Sequence, residues 1–231
     1  MVNFTMLVHN RLTLTSQSLE SLKASGLRGL NILLYDDASE NETSEYLMEW
    51  AERDNACVRG VLESSGTGRA RNAAIEHSQT CFGRGDYLYL SDNDVFFYPD
   101  WLENLILSYE VAWHAEFRVL GAYNHPFHQP VASLPVGAGF EVKQVGALAL
   151  QSMLMTWEVW DQYGPFCATP AGKVCQSEDV DFARKLTADG FKLGVVSPAL
   201  VVNTGITNSF GEKIPGWELV KKECPQGVIC E

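Results

Sequence analysis

LYLSDNDVFFYPDWL, residues 88–102, runs a strand-like apolar stretch into Asp92 and Asp94 and then onto an aromatic shelf. The residues just before the acids, DYLYL, are aromatic and aliphatic types that favour strands, so the pair is expected just past a strand's carboxyl end. That edge is where open α/β sheets bind ligands. Side chains of an extended segment alternate faces, so two acids two residues apart are expected to point the same way, as a small negative pincer. No Lys or Arg lies between Arg84 and Arg118 in sequence to offset them. Two readings follow: hard oxygen ligands for Mg2+ or Mn2+, or a solvated turn whose aspartate caps the next helix.

Outward from this stretch the chain alternates strand and helix patterns. FTMLVH reads as a first strand, and TLTSQSLESLKASG as a helix capped by Thr15 or Ser16 and ended by Gly26. LNILLYDDAS is an apolar run of the kind buried on both sheet faces, ending in Asp36 and Asp37. ETSEYLMEWAER follows as a helix, CVRGVLE as a strand, GRARNAAIEHS as a helix, then DYLYLSD and the helix PDWLENLILSYEVAW with Pro99 near its first turn. This alternation predicts a mostly parallel sheet with helices on both faces. Beyond RVLGAYNH the pattern loosens: an irregular Pro- and Gly-containing segment at 124–139, an apolar QVGALALQSMLM, helices TWEVWDQYG and SEDVDFARKLTADG, and late strands in FKLGVVSPALVVN.

The 231 residues suit one α/β domain, with no linker-like stretch, repeat or low-complexity tract. A hydrophobic share of 46% and a charged share of 20% exclude disorder. The net charge of −12 argues against a surface for nucleic acid or anionic membrane, though not against a local phosphate grip. No run reaches the roughly 18 apolar residues of a membrane span. The N-terminus lacks the basic flank and small-residue cleavage site of a signal peptide, so a cytoplasmic protein is expected. Cys57, Cys81, Cys167, Cys175, Cys224 and Cys230 contain no CxxC pair, which speaks against a zinc or redox motif. Cys224 with Cys230, or Cys167 with Cys175, could close a small loop, but without an export signal free thiols are expected.

Several strand ends carry candidate chemistry. Asp36 and Asp37 suit hydrogen bonds from a base or ribose, or a helix cap. His9 suits stacking on a base, or plain packing. SGTGRARN sets glycines and arginines at a helix start, where backbone N–H groups and the dipole favour an anion, yet it lacks the Lys-Ser/Thr of a P-loop and the GxGxxG spacing. Glu178, Asp179 and Asp181 open a helix that Ser177 would cap; they complement its dipole, or one of them faces a cleft as a general base.

Taken in order, LVHNR, YDDASENET, SGTGRARNAAI, the Asp92-Asn93-Asp94 stretch with Pro99, GPF and SEDVDFARKL resemble the GT-A glycosyltransferases, specifically the large family 2 of inverting enzymes, over roughly residues 4–205. The resemblance implies one Rossmann-like GT-A domain across 1–231. Residues 1–100 would form the nucleotide-sugar half, and 101–231 the acceptor half and C-terminal tail. It implies that Asp36 reads the base with His9 nearby, that Arg71 helps hold donor or diphosphate, and that Asp92 contacts ribose or the metal shell. Asp94 would ligate the Mn2+ or Mg2+ that bridges the diphosphate. Asp179 would be the base toward the acceptor hydroxyl, with Glu178 binding that acceptor. Many family members carry a His in the segment matching VVNTGIT, where this chain has Asn203; the third ligand is then Asn203 or water.

The implied partners are a UDP-, GDP- or dTDP-linked sugar and a hydroxyl acceptor on a glycan or glycoconjugate. A retaining transferase on the same fold, and a non-catalytic nucleotide or carbohydrate binder, remain as alternatives. A sugar nucleotidyltransferase is disfavoured because no Gly-rich Arg-containing loop follows the first strand. Trp157 is the chosen acceptor-stacking face, with Trp101, Phe127, His128, Trp160 and Trp217 as further candidates, since an aromatic ring offers a sugar an apolar plane. The tail from Ile214 is expected either to close over the cleft or to pack on the body.

Overall fold

The computed structural model of the chain describes residues 1–123, 128–148, 151–167, 178–206, 213, 218 and 224–231. Among these residues nine strands form one sheet in the order β3-β2-β1-β4-β9-β6-β10-β8-β7. The first half is the expected parallel unit: β1 (Val2–Val8) lies between β2 (Leu30–Asp37) and β4 (Tyr87–Asp92), with β3 (Cys57–Val61) outside β2. Consecutive strands step outward from β1 to β3, and β4 then returns to the other side of β1. The order reverses there, which opens a crevice at the carboxyl ends of β1 and β4.

Alternation along β2 sorts the layers. Ile32 and Leu34 pack with Leu19 and Leu22 of α1 (Leu12–Ser25) and with Leu47 and Trp50 of α2 (Asn41–Asp54). Leu33 and Tyr35 face Ala70 and Ala74 of α3 (Thr67–Phe82). A fully buried run therefore feeds two cores, as helices on both faces require. Phe4, Tyr89, Phe97 and Trp101 form the aromatic centre of the first core; Phe4 and Tyr89 stack at 5.4 Å, and Trp101 opens α4 (Trp101–Trp113).

The second half departs from the sequence expectations. The irregular 124–139 segment contains an edge strand, β7 (Ala132–Gly137), which pairs antiparallel with β8 (Phe140–Val145). The apolar QVGALALQSMLM is split: Val145 ends β8, and β9 starts at Ser152 and runs to Thr156 antiparallel between β4 and β6 (Phe117–Gly121). Local periodicity does not register such pairings, because the partners of β9 lie far away in sequence. Helices α5 (Trp157–Tyr163) and α6 (Glu178–Ala188) and strand β10 (Lys192–Ser197) lie where expected, and β11 (Val201–Asn203) pairs with the short β5 (Val95–Phe97).

Helix α1 starts earlier than the Thr15 or Ser16 cap implied. Asn10 and Arg11 both adopt left-handed backbone, at φ 55° and 63°, and the helix begins at Leu12. Thr15 Oγ1 instead donates to the Asn10 carbonyl and accepts from Asn93 Nδ2, so it braces the corner. Cys224 and Cys230 form a disulfide, contrary to the free-thiol expectation. Ser177, Phe127, Cys175 and Trp217 lie outside the described residues. Among the described residues no helix is long and apolar enough to cross a membrane.

Candidate active site

The chain turns at Asn93 and Asp94 as soon as β4 ends. Asp92 and Asp94 are therefore not a strand-face pincer, and each meets its own arginine. Arg71, on the second turn of α3, donates through Nη2 to Asp92 Oδ1 and is itself buried. Arg11 donates through Nη1 to Asp94 Oδ2 at 2.7 Å. The expectation of uncompensated carboxylates fails because both cations arrive from distant segments, β1–α1 and α3. Burial pushes the Asp94 carboxyl up to about 6, against the opposing pull of Arg11.

Asn93 locks this turn, since its Nδ2 donates to the Asn10 carbonyl at 3.0 Å and to Thr15 Oγ1 at 2.7 Å. Two consecutive left-handed residues, one of them the non-glycine, non-Asn Arg11, are a strained corner of the sort held only by its surroundings. The corner aims Arg11 at Asp94. Gly205 packs against the same pair: a Cβ there would collide with Asp94 Oδ2 and lie 2.7 Å from Arg11 Nη2. Arg11 and Gly205 are the residues that sequence reasoning missed; LVHNR held Arg11 in plain view, but nothing local tied it to an acid 83 positions away.

Asn203 sits beside Asp94, with Nδ2 at 3.4 Å from Asp94 Oδ1, and its own Oδ1 accepts from the Gly205 N–H at 2.7 Å. Its one ligating atom is thus engaged inside the protein. The second oxygens of Asp92 and Asp94 lie outside the arginine pairs. Hard ions such as Mg2+ are commonly held by one or two carboxylates together with phosphates and waters, and these oxygens match that donor set. Among the described residues no group of three His, Cys, Asp or Glu converges into a complete protein cage.

The base-side candidates gather at the ends of β1 and β2. His9 Nδ1 donates to the Asp37 carbonyl at 2.7 Å, which fixes the ring. Asp36 accepts from the Ser39 N–H at 2.8 Å and from Ser44 Oγ at 2.5 Å; Asp37, on the opposite face, accepts from Ser64 and Ser65. Both acids therefore order loops. Asp36 also lines a cleft of about 560 Å³ with Ser39, Ser44, Arg59, Gly60 and Leu62, a volume within the usual range for a small-molecule site. Leu62 is fully exposed at its rim.

Glu178 and Asp179 open α6 on the other side of α3. Glu178 is buried beside Gly68, where a Cβ would stand 2.9 Å from its Oε2. Asp179 lies in the electrostatic reach of Arg71, and burial raises its carboxyl above the ordinary range while the Val180 N–H and Arg71 pull it down. Asn72 grips the GPF loop in both directions, through Nδ2 to the Phe166 carbonyl and Oδ1 from the Phe166 N–H, each at 3.0 Å. The first turns of α3 thus join Asp92, Glu178 and Asp179, and among the described residues Arg71 Nε is a buried donor without a hydrogen-bond partner.

Trp157 is not at this site. It starts α5 next to Thr156, which pairs with Tyr87 at the opposite end of β4 from Asp92. It is buried among Ile75, Met155 and Phe166, and Arg84 covers its ring at 4.9 Å. An indole at a strand–helix junction was needed for the core. Trp101 is likewise core, with Nε1 bound to Ser25 Oγ, and Trp160 packs on Phe166. Part of the tail, Cys224–Glu231, packs on the body near Arg11: Gln17 exchanges two hydrogen bonds with Ile229, and Glu231 pairs with Thr204 and Ile206.

Residues 4–126, more than half of the chain, match the model of glycosyl transferase family 2. The "Putative glycosyltransferase EpsH" of Bacillus subtilis (strain 168) is 28% identical over 105 residues, 46% of this chain and 29% of that protein. The mannosyltransferase PcManGT from Pyrobaculum calidifontis, solved with GDP-Man and Mn2+, superposes with a TM-score of 0.60 at 16% identity over 84% of this chain and 56% of its own. S. aureus TarS 1-349, solved with UDP-GlcNAc, gives 0.63 at 15% identity over 85% and 56%. The chain thus spans under a third of that curated relative and a little over half of each structure.

Proposed function

The chain belongs to glycosyl transferase family 2, and from that premise we propose that it moves one sugar from a nucleotide-diphosphate sugar to a hydroxyl of a glycan or glycoconjugate, with inversion. The observation that carries this reading is the convergence on α3: Arg71 pairs with Asp92, while Glu178 and Asp179 close on the same helix start. Binding of GDP-Man and UDP-GlcNAc by the two structural relatives supports a nucleotide-sugar donor.

In this reading the base and ribose occupy the Asp36 cleft, with His9 nearby, held by the carbonyl of the adjacent Asp37. The diphosphate lies over the carboxyl ends of β1 and β4. Asp92 and Asp94 are the residues that would hold Mg2+ or Mn2+, and such an ion would offset charge on the departing diphosphate. Arg71 adds fixed positive charge there. Asp179 removes the proton from the acceptor hydroxyl, and Glu178 orients that acceptor. Burial keeps Asp179 more basic than an exposed aspartate, which suits a general base.

Turnover with a donor panel, followed by proton NMR of the product's anomeric coupling, tests the reading. An inverted linkage formed by the wild type, and lost in Asp179→Asn with nucleotide binding intact, is expected. A retained linkage, or full activity in Asp179→Asn, would remove the assigned base.

A further inference from the structure

The sulfurs of Cys57 and Cys81 lie 2.9 Å apart. Carbon atoms rest in contact at roughly 3.5–4.0 Å, and sulfur is larger, so two separate thiols do not fit this gap comfortably. A disulfide draws the same atoms to about 2.05 Å. Cys57 lies in β3, in register with Leu33 of β2, and Cys81 is in the last turn of α3. Both side chains pack against the small cluster of Leu33, Tyr35, Ala70 and Ala74, which holds their backbones in place.

We propose that Cys57 and Cys81 form a second disulfide that ties edge strand β3 to α3, in addition to Cys224–Cys230. Two thiols lose two protons and two electrons to a low-molecular-weight disulfide such as oxidised glutathione, which leaves as two thiols. Among the described residues strand β3 pairs with β2 alone and its outer residues are exposed, so it has the weakest attachment in the parallel half. Its Gly60 lines the Asp36 cleft, and α3 carries Arg71. The bond therefore fixes one wall of the cleft to the helix that organises the rest of the site. Burial and the adjacent Cys81 push the Cys57 thiol up to about 11, so little thiolate exists in the folded chain. Two disulfides imply an oxidising compartment, in contrast to the cytoplasm expected from the sequence.

The full chain, produced in bacteria with an oxidising cytoplasm, would be denatured in excess N-ethylmaleimide without reductant, digested and mapped by mass spectrometry. A linked peptide containing Cys57 and Cys81 is the expected result. Labelling of both as thiols, or linkage of either to a different cysteine, overturns the proposal. As an independent readout, the double substitution Cys57→Ser and Cys81→Ser should lower the melting temperature by about 5 °C or more under oxidising conditions. Wild type and variant should then converge in reductant. An equal gap under both conditions would mean a packing effect only and contradict the bond.

Discussion

Arg11 Nη1 stands 2.7 Å from Asp94 Oδ2, and the aspartate is 6% exposed. Removing one partner of a buried pair strands the other charge and costs about 3 kcal/mol. Arg11→Met is therefore expected to melt roughly 10 °C lower than wild type, and adding Asp94→Asn should restore most of that. Calorimetry of the single and double variants checks it; an unchanged melting temperature in Arg11→Met would mean that the pair does not hold the corner.

Asp179 combines a catalytic and a stability prediction. Asp179→Asn should lower turnover by about 10²–10⁴-fold. Because burial raises its folded pKa, activity should fall with acid at a pH above the ordinary aspartate value. The sign for stability is opposite. A raised folded pKa favours the fold below the unfolded pKa, and this is lost as pH rises through the folded value. Asp179→Asn should thus be more stable than wild type at neutral pH, with the gap closing in acid. Thermal melts across pH would reveal the reverse trend if Asp179 were stabilised by its ion pairing.

Gly68 gives Glu178 its room. A methyl there would lie 2.9 Å from Glu178 Oε2 and against the Cys167 carbonyl oxygen. Gly68→Ala should reduce turnover by on the order of 100-fold by displacing the acceptor side, with nucleotide affinity little changed. Equal losses in nucleotide binding would show that Gly68 serves the donor instead.

Trp157 serves the core at the opposite end of β4 from Asp92. Trp157→Phe should leave the acceptor KM unchanged, whereas Trp157→Ala should cost about 3–5 kcal/mol of stability. A raised acceptor KM in the phenylalanine variant would return Trp157 to the acceptor site.

The parallel half was legible because its elements are local and strongly patterned: LNILLYDD is buried on both faces, and the strand-end acids follow directly. The ordered series of motifs singled out Asp36, Arg71, Asp92, Asp94, Glu178 and Asp179, and the fold sets them at strand ends and helix starts of the parallel half and α6. The antiparallel placement of β9 depended on distant partners, whereas the β7–β8 hairpin is local but lies in a Pro- and Gly-containing stretch with little apolar alternation. Arg11 was invisible as a counter-ion because its aim comes from a left-handed corner and from Asn93 and Gly205, none of which has a periodic signature. Trp157 was misread because an aromatic residue has the same appearance in a sequence whether it faces sugar or core.

The most direct test is calorimetric titration of the full chain with UDP, GDP, dTDP and CDP, with Mn2+ and again after its removal by chelator, on wild type and on Asp92→Asn. One nucleotide diphosphate should bind with Mn2+, weaken strongly without it, and be lost in the variant while the fold is retained by circular dichroism. Absence of binding by every nucleotide, or binding indifferent to both metal and substitution, would contradict a donor site at the ends of β1 and β4.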